Sequence, residues 1–218
     1  MDKNIEYIRS LIKENEDTYI FRKQEEKNYI PIIRPEVMQF ISVIINIAGI
    51  KKILEIGTAD GYSSICFCKT IGRDADVTTI ESDEQRVCTA RKNIESFNLN
   101  KNITVIHDDA VNALLYMTGQ NVFDMIFLDG PKTHYLEMLP GCVRLLKEGG
   151  ILIADNVLYF GMTSGQKEIP KKKRTSAYHL RDFLEAVSHS SELDTSIINF
   201  EDGLSISVKK GKKINEKT

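Results

Sequence analysis

Five short apolar runs, each followed by a helix-like stretch, constrain this chain more than any other feature. They are Lys52–Gly57, Val77–Glu81, Ile103–His107, Val122–Leu128 and Gly150–Asp155. Helical patterns fill the gaps at Tyr62–Ile71, Asp83–Phe97, Ala110–Met117 and Leu136–Leu146. A run that is apolar throughout, rather than alternating, is buried on both faces. Strands joined through helices run parallel. The pattern therefore predicts an α/β fold, a Rossmann-like doubly wound sheet with helices on both faces. A polar loop follows over about 158–174, then a helix over about 175–188. Thr195–Phe200 and Leu204–Lys209 read as two more strands, joined by the turn sequence Glu201-Asp202-Gly203. Such a turn favours a hairpin. The expected sheet has seven strands, mostly parallel, with a C-terminal antiparallel pair.

Ahead of the sheet, residues 4–30 read as a charged helical extension with Ile5, Ile8, Leu11 and Ile12 on one stripe. Pro35 starts a stronger helix, with Val37, Phe40, Ile41, Ile44 and Ile45 at helical spacing and Gly49 to end it. This divides the 218 residues into an extension, 1–30, and a main domain, 31–218. The longest apolar stretch, Phe40–Ile50, is broken by Ser42 and Asn46, too short to span a bilayer. The first residues lack the basic-then-apolar order of a signal peptide. Cys66, Cys68, Cys88 and Cys142 form no CxxC pair and sit in apolar or helical surroundings, so buried free thiols in a reducing, cytoplasmic setting are expected.

In a doubly wound sheet, ligands bind at the carboxyl ends of the strands. Here those ends carry Glu55, Glu81, Asp108-Asp109, Asp129 and Asp155-Asn156. Five acids along one edge repel one another unless a cation or a hydrogen-bonding ligand is present, although acids are also ordinary turn formers. The first turn reads Gly57-Thr-Ala-Asp-Gly61-Tyr. It fails the dinucleotide fingerprint at the second and third glycines, and no P-loop is present. Glu81, 24 residues beyond Gly57, stands where an acid accepts hydrogen bonds from a ribose diol. These features favour a nucleoside ligand without a pyrophosphate.

Leu54-Glu-Ile-Gly-Thr-Ala-Asp-Gly-Tyr-Ser63 resembles motif I of the class I S-adenosylmethionine-dependent methyltransferases. With Phe127-Leu-Asp-Gly-Pro-Lys132 and Ala154-Asp-Asn-Val157, it is most similar to the metal-dependent O-methyltransferases related to the catechol and caffeoyl-CoA enzymes. Ala59 replaces the family's usual middle glycine. The resemblance spans residues 30 to 209 and implies roles by position. Glu55 organises the loop beneath the motif, and Gly57 and Ser63 line the methionine end of the cofactor. Glu81 holds the ribose hydroxyls, Asp109 and Ala110 flank the adenine, and Ile33 belongs to a segment that covers the cofactor. Asp129 borders the cofactor as well as the reacting centre.

The resemblance also implies a metal held by Asp129, Asp155 and Asn156. All three offer hard oxygen atoms, which suits Mg²⁺, with Mn²⁺ or Ca²⁺ as alternatives. An acceptor phenol has a pKa near 10, so a cation that favours its anion and orients it is useful. Lys132, three residues past Asp129, is the implied general base. Tyr135 either contacts the ligands or simply begins the next helix. Relatives are commonly dimers, which makes a homodimer the expected assembly.

Charge bears on the acceptor. The chain carries 29 Lys+Arg, 31 Asp+Glu and a formal net charge of -2. That balance excludes broad electrostatic coating of nucleic acid. It conceals a local +5 between Gln166 and Arg181 and a local +4 from Lys209 to Thr218, leaving −11 elsewhere. Lys171, Lys172, Lys173 and Arg174 follow the Asn156 segment and resemble the corresponding stretch of bacterial tRNA 5-hydroxyuridine methyltransferases. That likeness implies a tRNA anticodon partner, with 5-hydroxyuridine at the wobble position becoming 5-methoxyuridine. The alternative is a small catechol-like or CoA-linked phenolic acceptor, with the lysines solvated or set against CoA phosphates.

Overall fold

The computed structural model describes residues 3–200 and 202–211. Seven strands are present: β1 (Lys52–Ile56), β2 (Asp76–Glu81), β3 (Ile103–His107), β4 (Phe123–Leu128), β5 (Leu146–Asp155), β6 (Leu193–Ile198) and β7 (Leu204–Lys209). They form one sheet in the order β3-β2-β1-β4-β5-β7-β6. β2 and β3, β1 and β4, and β4 and β5 pair parallel, whereas β7 runs antiparallel to both β5 and β6. The order reverses between β1 and β4, the place where such sheets open a ligand crevice. Eight α-helices accompany the described strands: α1 (Lys3–Leu11), α2 (Glu16–Lys27), α3 (Pro35–Ala48), α4 (Tyr62–Ile71), α5 (Glu84–Ser96), α6 (Ala110–Tyr116), α7 (Tyr135–Leu145) and α8 (Arg174–Ser188).

The chain divides into two compact units, Met1–Lys51 with Thr58–His107, and Lys52–Gly57 with Asp108–Thr218. In the first, α3 begins at Pro35, whose fixed φ suits the first helical position, and ends at Gly49 with φ +62°. Its apolar stripe buries Val37, Ile41 and Ile45, each burial contributing about 1.5–3 kcal/mol. The guanidinium of Arg9 grips Glu36 through two hydrogen bonds of 2.7 and 2.8 Å, fastening α1 to α3. Asp83, expected as a first-turn acid, is the N-cap of α5 and accepts from Arg86 N–H at 3.0 Å.

In the second unit, Ile53, Leu54, Met125, Ile126, Phe127, Leu128, Leu152, Ile153 and Ala154 are all buried, which explains the apolar runs of β1, β4 and β5. The Tyr135 ring packs edge-on against Phe183 of α8.

Several expectations need correction. Residues 4–30 form two helices, because Asn15 caps α2 by accepting from Asp17 N–H. β5 starts at Leu146, ahead of the expected Gly150, where a register shift against Phe123 and Met125 admits extra residues. The polar loop contains two 3-10 turns, at Tyr159–Gly161 and Lys171–Lys173. Cys66, Cys68 and Cys142 are buried free thiols, but Cys88 on α5 is exposed. Glu55 lies inside β1, opposite Phe127 and fully buried, because β1 continues through Ile56. Of the hairpin turn, Glu201 lies outside the described residues, as do the lysines beyond Gly211. Among the described residues, no helix is long and apolar enough to cross a membrane.

Candidate active site

In the first unit, the motif I turn at Thr58–Asp60 is held from three sides. Thr58 Oγ1 meets Thr79 Oγ1 of β2 at 2.6 Å in a buried contact. Ala59 N–H donates to Glu81 Oε2 at 2.9 Å. Asn93 of α5 donates to the Asp60 carbonyl at 2.9 Å. Ala59 adopts φ +44°, a conformation costly for a residue with a side chain, and its bond to Glu81 offsets that cost.

Glu81 is itself fixed. Its Oε1 accepts from the N–H groups of Ser82 and Asp83, both at 3.0 Å. Both oxygens keep further lone pairs, so an oriented carboxylate remains able to accept from a diol. Ser63 is buried on the first turn of α4, and Ile33 is buried ahead of α3.

Glu25 of α2 is buried, and its Oε2 has no hydrogen-bond partner among the described residues. Burial and the facing Asp60 carboxylate push it up to about 7.

In the second unit, Gly57 has φ +100°, and a Cβ there would stand 2.6 Å from the Asp129 carbonyl oxygen. Asp129 N–H donates to the Ile56 carbonyl at 2.9 Å, so the ends of β1 and β4 lie against each other. Glycine is needed here for the close approach of two backbones.

Asp129 and Asp155 follow Leu128 and Ala154, which are register partners, so the two acids leave neighbouring strands at the same level. Lys132 Nζ lies 2.9 Å from Asp129 Oδ1. Burial alone would lower the Lys132 pKa. The surrounding Tyr135, Asp129 and Asp155 outweigh it and hold the ammonium well above the usual lysine range. Asp155 is buried and accepts from Asn156 N–H at 2.7 Å, and Asn156 takes φ +58°. The fully buried Tyr135 donates its hydroxyl to the Leu128 carbonyl at 2.9 Å and lies 3.3 Å from that of Asp155. Burial raises its pKa above the usual phenol range.

The structure thus brings Asp129, Lys132, Asp155 and Asn156 together. Asp109 is the N-cap of α6. Its Oδ1 accepts from Val111 and Asn112 N–H, and Ala110 begins the helix. Lys171, Lys172 and Arg174 are exposed, whereas Lys173 is half-buried with Nζ 5.3 Å from the ring centres of both Tyr159 and Phe160. Sequence reasoning left Tyr135 undecided, gave no role to Thr79 or Asn93, and placed Asp202 only in the hairpin turn. Only Tyr135 had a local signal, its place six positions after Asp129.

The family model described as O-methyltransferase matches residues 10–210. The chain belongs to the O-methyltransferase family, whose members are S-adenosylmethionine-dependent enzymes. A Staphylococcus aureus protein assigned to the caffeoyl-CoA O-methyltransferases superposes with a TM-score of 0.88 at 32% identity, covering 95% of this chain and 100% of its own. A catechol O-methyltransferase of Niastella koreensis is 31% identical over 131 residues, and the match spans 59% of each chain. An O-methyltransferase of Bacillus cereus, solved with S-adenosylhomocysteine, has a TM-score of 0.82 at 25% identity over 94% of this chain and 96% of its own.

Proposed function

We propose that this chain moves the methyl group of S-adenosylmethionine to a ring hydroxyl with a second oxygen beside it, on a small catechol-like or CoA-linked phenolic acceptor. The observation that carries this reading is the cluster of Asp129, Lys132, Asp155 and Asn156 at the ends of β4 and β5. The catechol and caffeoyl-CoA assignments of its relatives support it.

The donor set fits a divalent cation. It consists of hard oxygens, and a positive group, the Lys132 ammonium, already rests against Asp129. Asp129, Asp155 and Asn156 are the residues that would hold it. When bound, such an ion favours the ionised acceptor hydroxyl and draws acidic charge away from Lys132. With Asp129 and Asp155 beside it, the Lys132 ammonium keeps its proton. Once they are engaged elsewhere, Nζ is the group able to take the hydroxyl proton. Tyr135 keeps the β4 and β5 ends in register through the Leu128 and Asp155 carbonyls. Glu81 supplies acceptors for the ribose, and Ser63 borders the methionine end.

A second reading takes the acceptor to be 5-hydroxyuridine in a tRNA anticodon, whose 5-hydroxyl and O4 present the same pair of oxygens. The exposed Lys171, Lys172 and Arg174, on the segment that follows Asn156, favour it.

One assay separates the two: labelled S-adenosylmethionine and Mg²⁺ with catechol, or with tRNA carrying 5-hydroxyuridine. Label should enter catechol and stop entering when EDTA is added. Label in the tRNA alone replaces the acceptor reading, and turnover that persists in EDTA removes the cation.

A further inference from the structure

The segment leaving Asn156 is unusual for its backbone. Asn156, Tyr159 and Phe160 take φ values of +58°, +45° and +57°, three non-glycine residues in the left-handed region within five positions. Each such residue costs on the order of 1 kcal/mol or more, and the arrangement persists only where neighbours over-determine it.

The neighbours are supplied from the turn before β7, more than forty residues on. Asp202 is buried, and its Oδ1 accepts from Phe160 N–H at 2.8 Å. The Asp202 carbonyl accepts from Leu158 N–H at 2.6 Å, and the Gly203 carbonyl from Val157 N–H at 3.1 Å. Gly203 has φ +78°, and a Cβ there would fall 2.3 Å from Leu158 Cγ. Leu204 then pairs with Asp155 in register.

Three consecutive residues, Asp202 and Gly203 of the turn and Leu204 at the start of β7, thus hold Asp155, Val157, Leu158 and Phe160. Past this grip the chain buries Gly161, Met162 and Thr163, and Arg181 of α8 donates to the Thr163 carbonyl at 2.6 Å. The grip leaves Phe160 half in solvent beside Tyr159, with the Lys173 ammonium over both rings.

The geometry points to Asp202 as a positioning residue. It acts through the Phe160 N–H to hold the Tyr159–Phe160 pair in its left-handed form next to Asn156, and so sets how tightly an acceptor is held. The backbone part of the grip, from the two carbonyls, holds Val157 and Leu158. Within this turn, the Asp202 side chain is the group that reaches the backbone of the aromatic pair. Its consequence for acceptor affinity rests on the reading of Asp129, Asp155 and Asn156 as the reacting centre. The hold on the loop itself does not.

The test compares the wild type with Asp202→Ala and Asp202→Asn, because asparagine keeps an Oδ1 acceptor at the same place. The first readout is the rate of limited tryptic cleavage at Lys167 and over Lys171–Arg174. The second is acceptor KM against kcat, with catechol or with 5-hydroxyuridine tRNA, whichever the wild type methylates. The third is S-adenosylmethionine affinity by calorimetry. Asp202→Ala should cleave about tenfold faster and raise acceptor KM about tenfold, the effect of about 1.4 kcal/mol from one lost buried acceptor. Its cofactor affinity should stay within about twofold, and Asp202→Asn should restore most of both losses.

Wild-type cleavage and KM in Asp202→Ala overturn the proposal. So does an equal loss in both variants together with lost cofactor affinity, which would mark general damage to the fold. A wild type that methylates neither probe sinks the acceptor reading, while the cleavage ratio of the two variants still decides the grip.

Discussion

The two units fix their functional groups by different means. In the first, Glu81 is held by three backbone N–H groups, and the turn it faces is held by Thr79 and Asn93. In the second, Asp129 faces an ammonium, Asp155 accepts from the next residue's N–H, and Tyr135 ties the two strand ends. A carboxylate aimed by backbone dipoles keeps its direction whatever ligand is present. A carboxylate facing a lysine has its charge balanced in a way that an incoming cation can replace. The first arrangement suits a ligand bound the same way every cycle. The second suits a centre that exchanges a proton.

The contrast can be broken at several points. The largest effect should come from Asp155→Ala. It removes a buried acid from the oxygen set, and methyl transfer should fall by about 10³-fold or more while calorimetry still shows S-adenosylmethionine binding. Loss of cofactor binding in that variant would erase the distinction between the two regions.

Next, Glu81→Ala should weaken S-adenosylmethionine binding by about ten- to a hundredfold, since it removes the proposed diol acceptor and strands three N–H groups. The acceptor KM should hardly move. An acceptor KM that rose in parallel would show the two regions acting as one.

The smallest effect concerns Glu25. Its carboxyl is raised in the fold, so its stabilising contribution is complete below the unfolded value of 4.5 and is lost as pH rises through about 7. The loss is on the order of 3 kcal/mol at most. Glu25→Gln should therefore raise the melting temperature relative to wild type at pH 8 and change it little at pH 4. A constant difference across that range would show that burial and Asp60 do not raise this carboxyl.

Much of the fold was legible because buried parallel strands leave unbroken apolar runs. β3, β7 and α4 match their expected limits residue for residue. The break between α1 and α2 was hidden, because the capping side chain of Asn15 sits in a charged stretch with no glycine or proline to mark it. Asp129, Asp155 and Asn156 were singled out because the resemblance implies them, and each stands at or just past the end of an apolar strand. Asp109 was implied by the resemblance as a neighbour of the adenine, and its side chain also caps α6, a duty that the motif alone does not reveal. The Lys132 ion pair follows from a three-residue spacing. Its raised pKa depends on Tyr135 and Asp155, and Asp155 enters from another strand. Asp202 was invisible beyond its turn, since its partner Phe160 lies 42 positions away.

The approach of Gly57 to Asp129 has a consequence for heredity. With only a hydrogen atom's clearance between residue 57 and the Asp129 carbonyl, a side chain at 57 displaces the acid that follows β4. The two positions therefore answer to natural selection as one. A side chain at 57 meets both the φ of +100° and the Asp129 carbonyl, so the effects of substitutions at the two positions will not add.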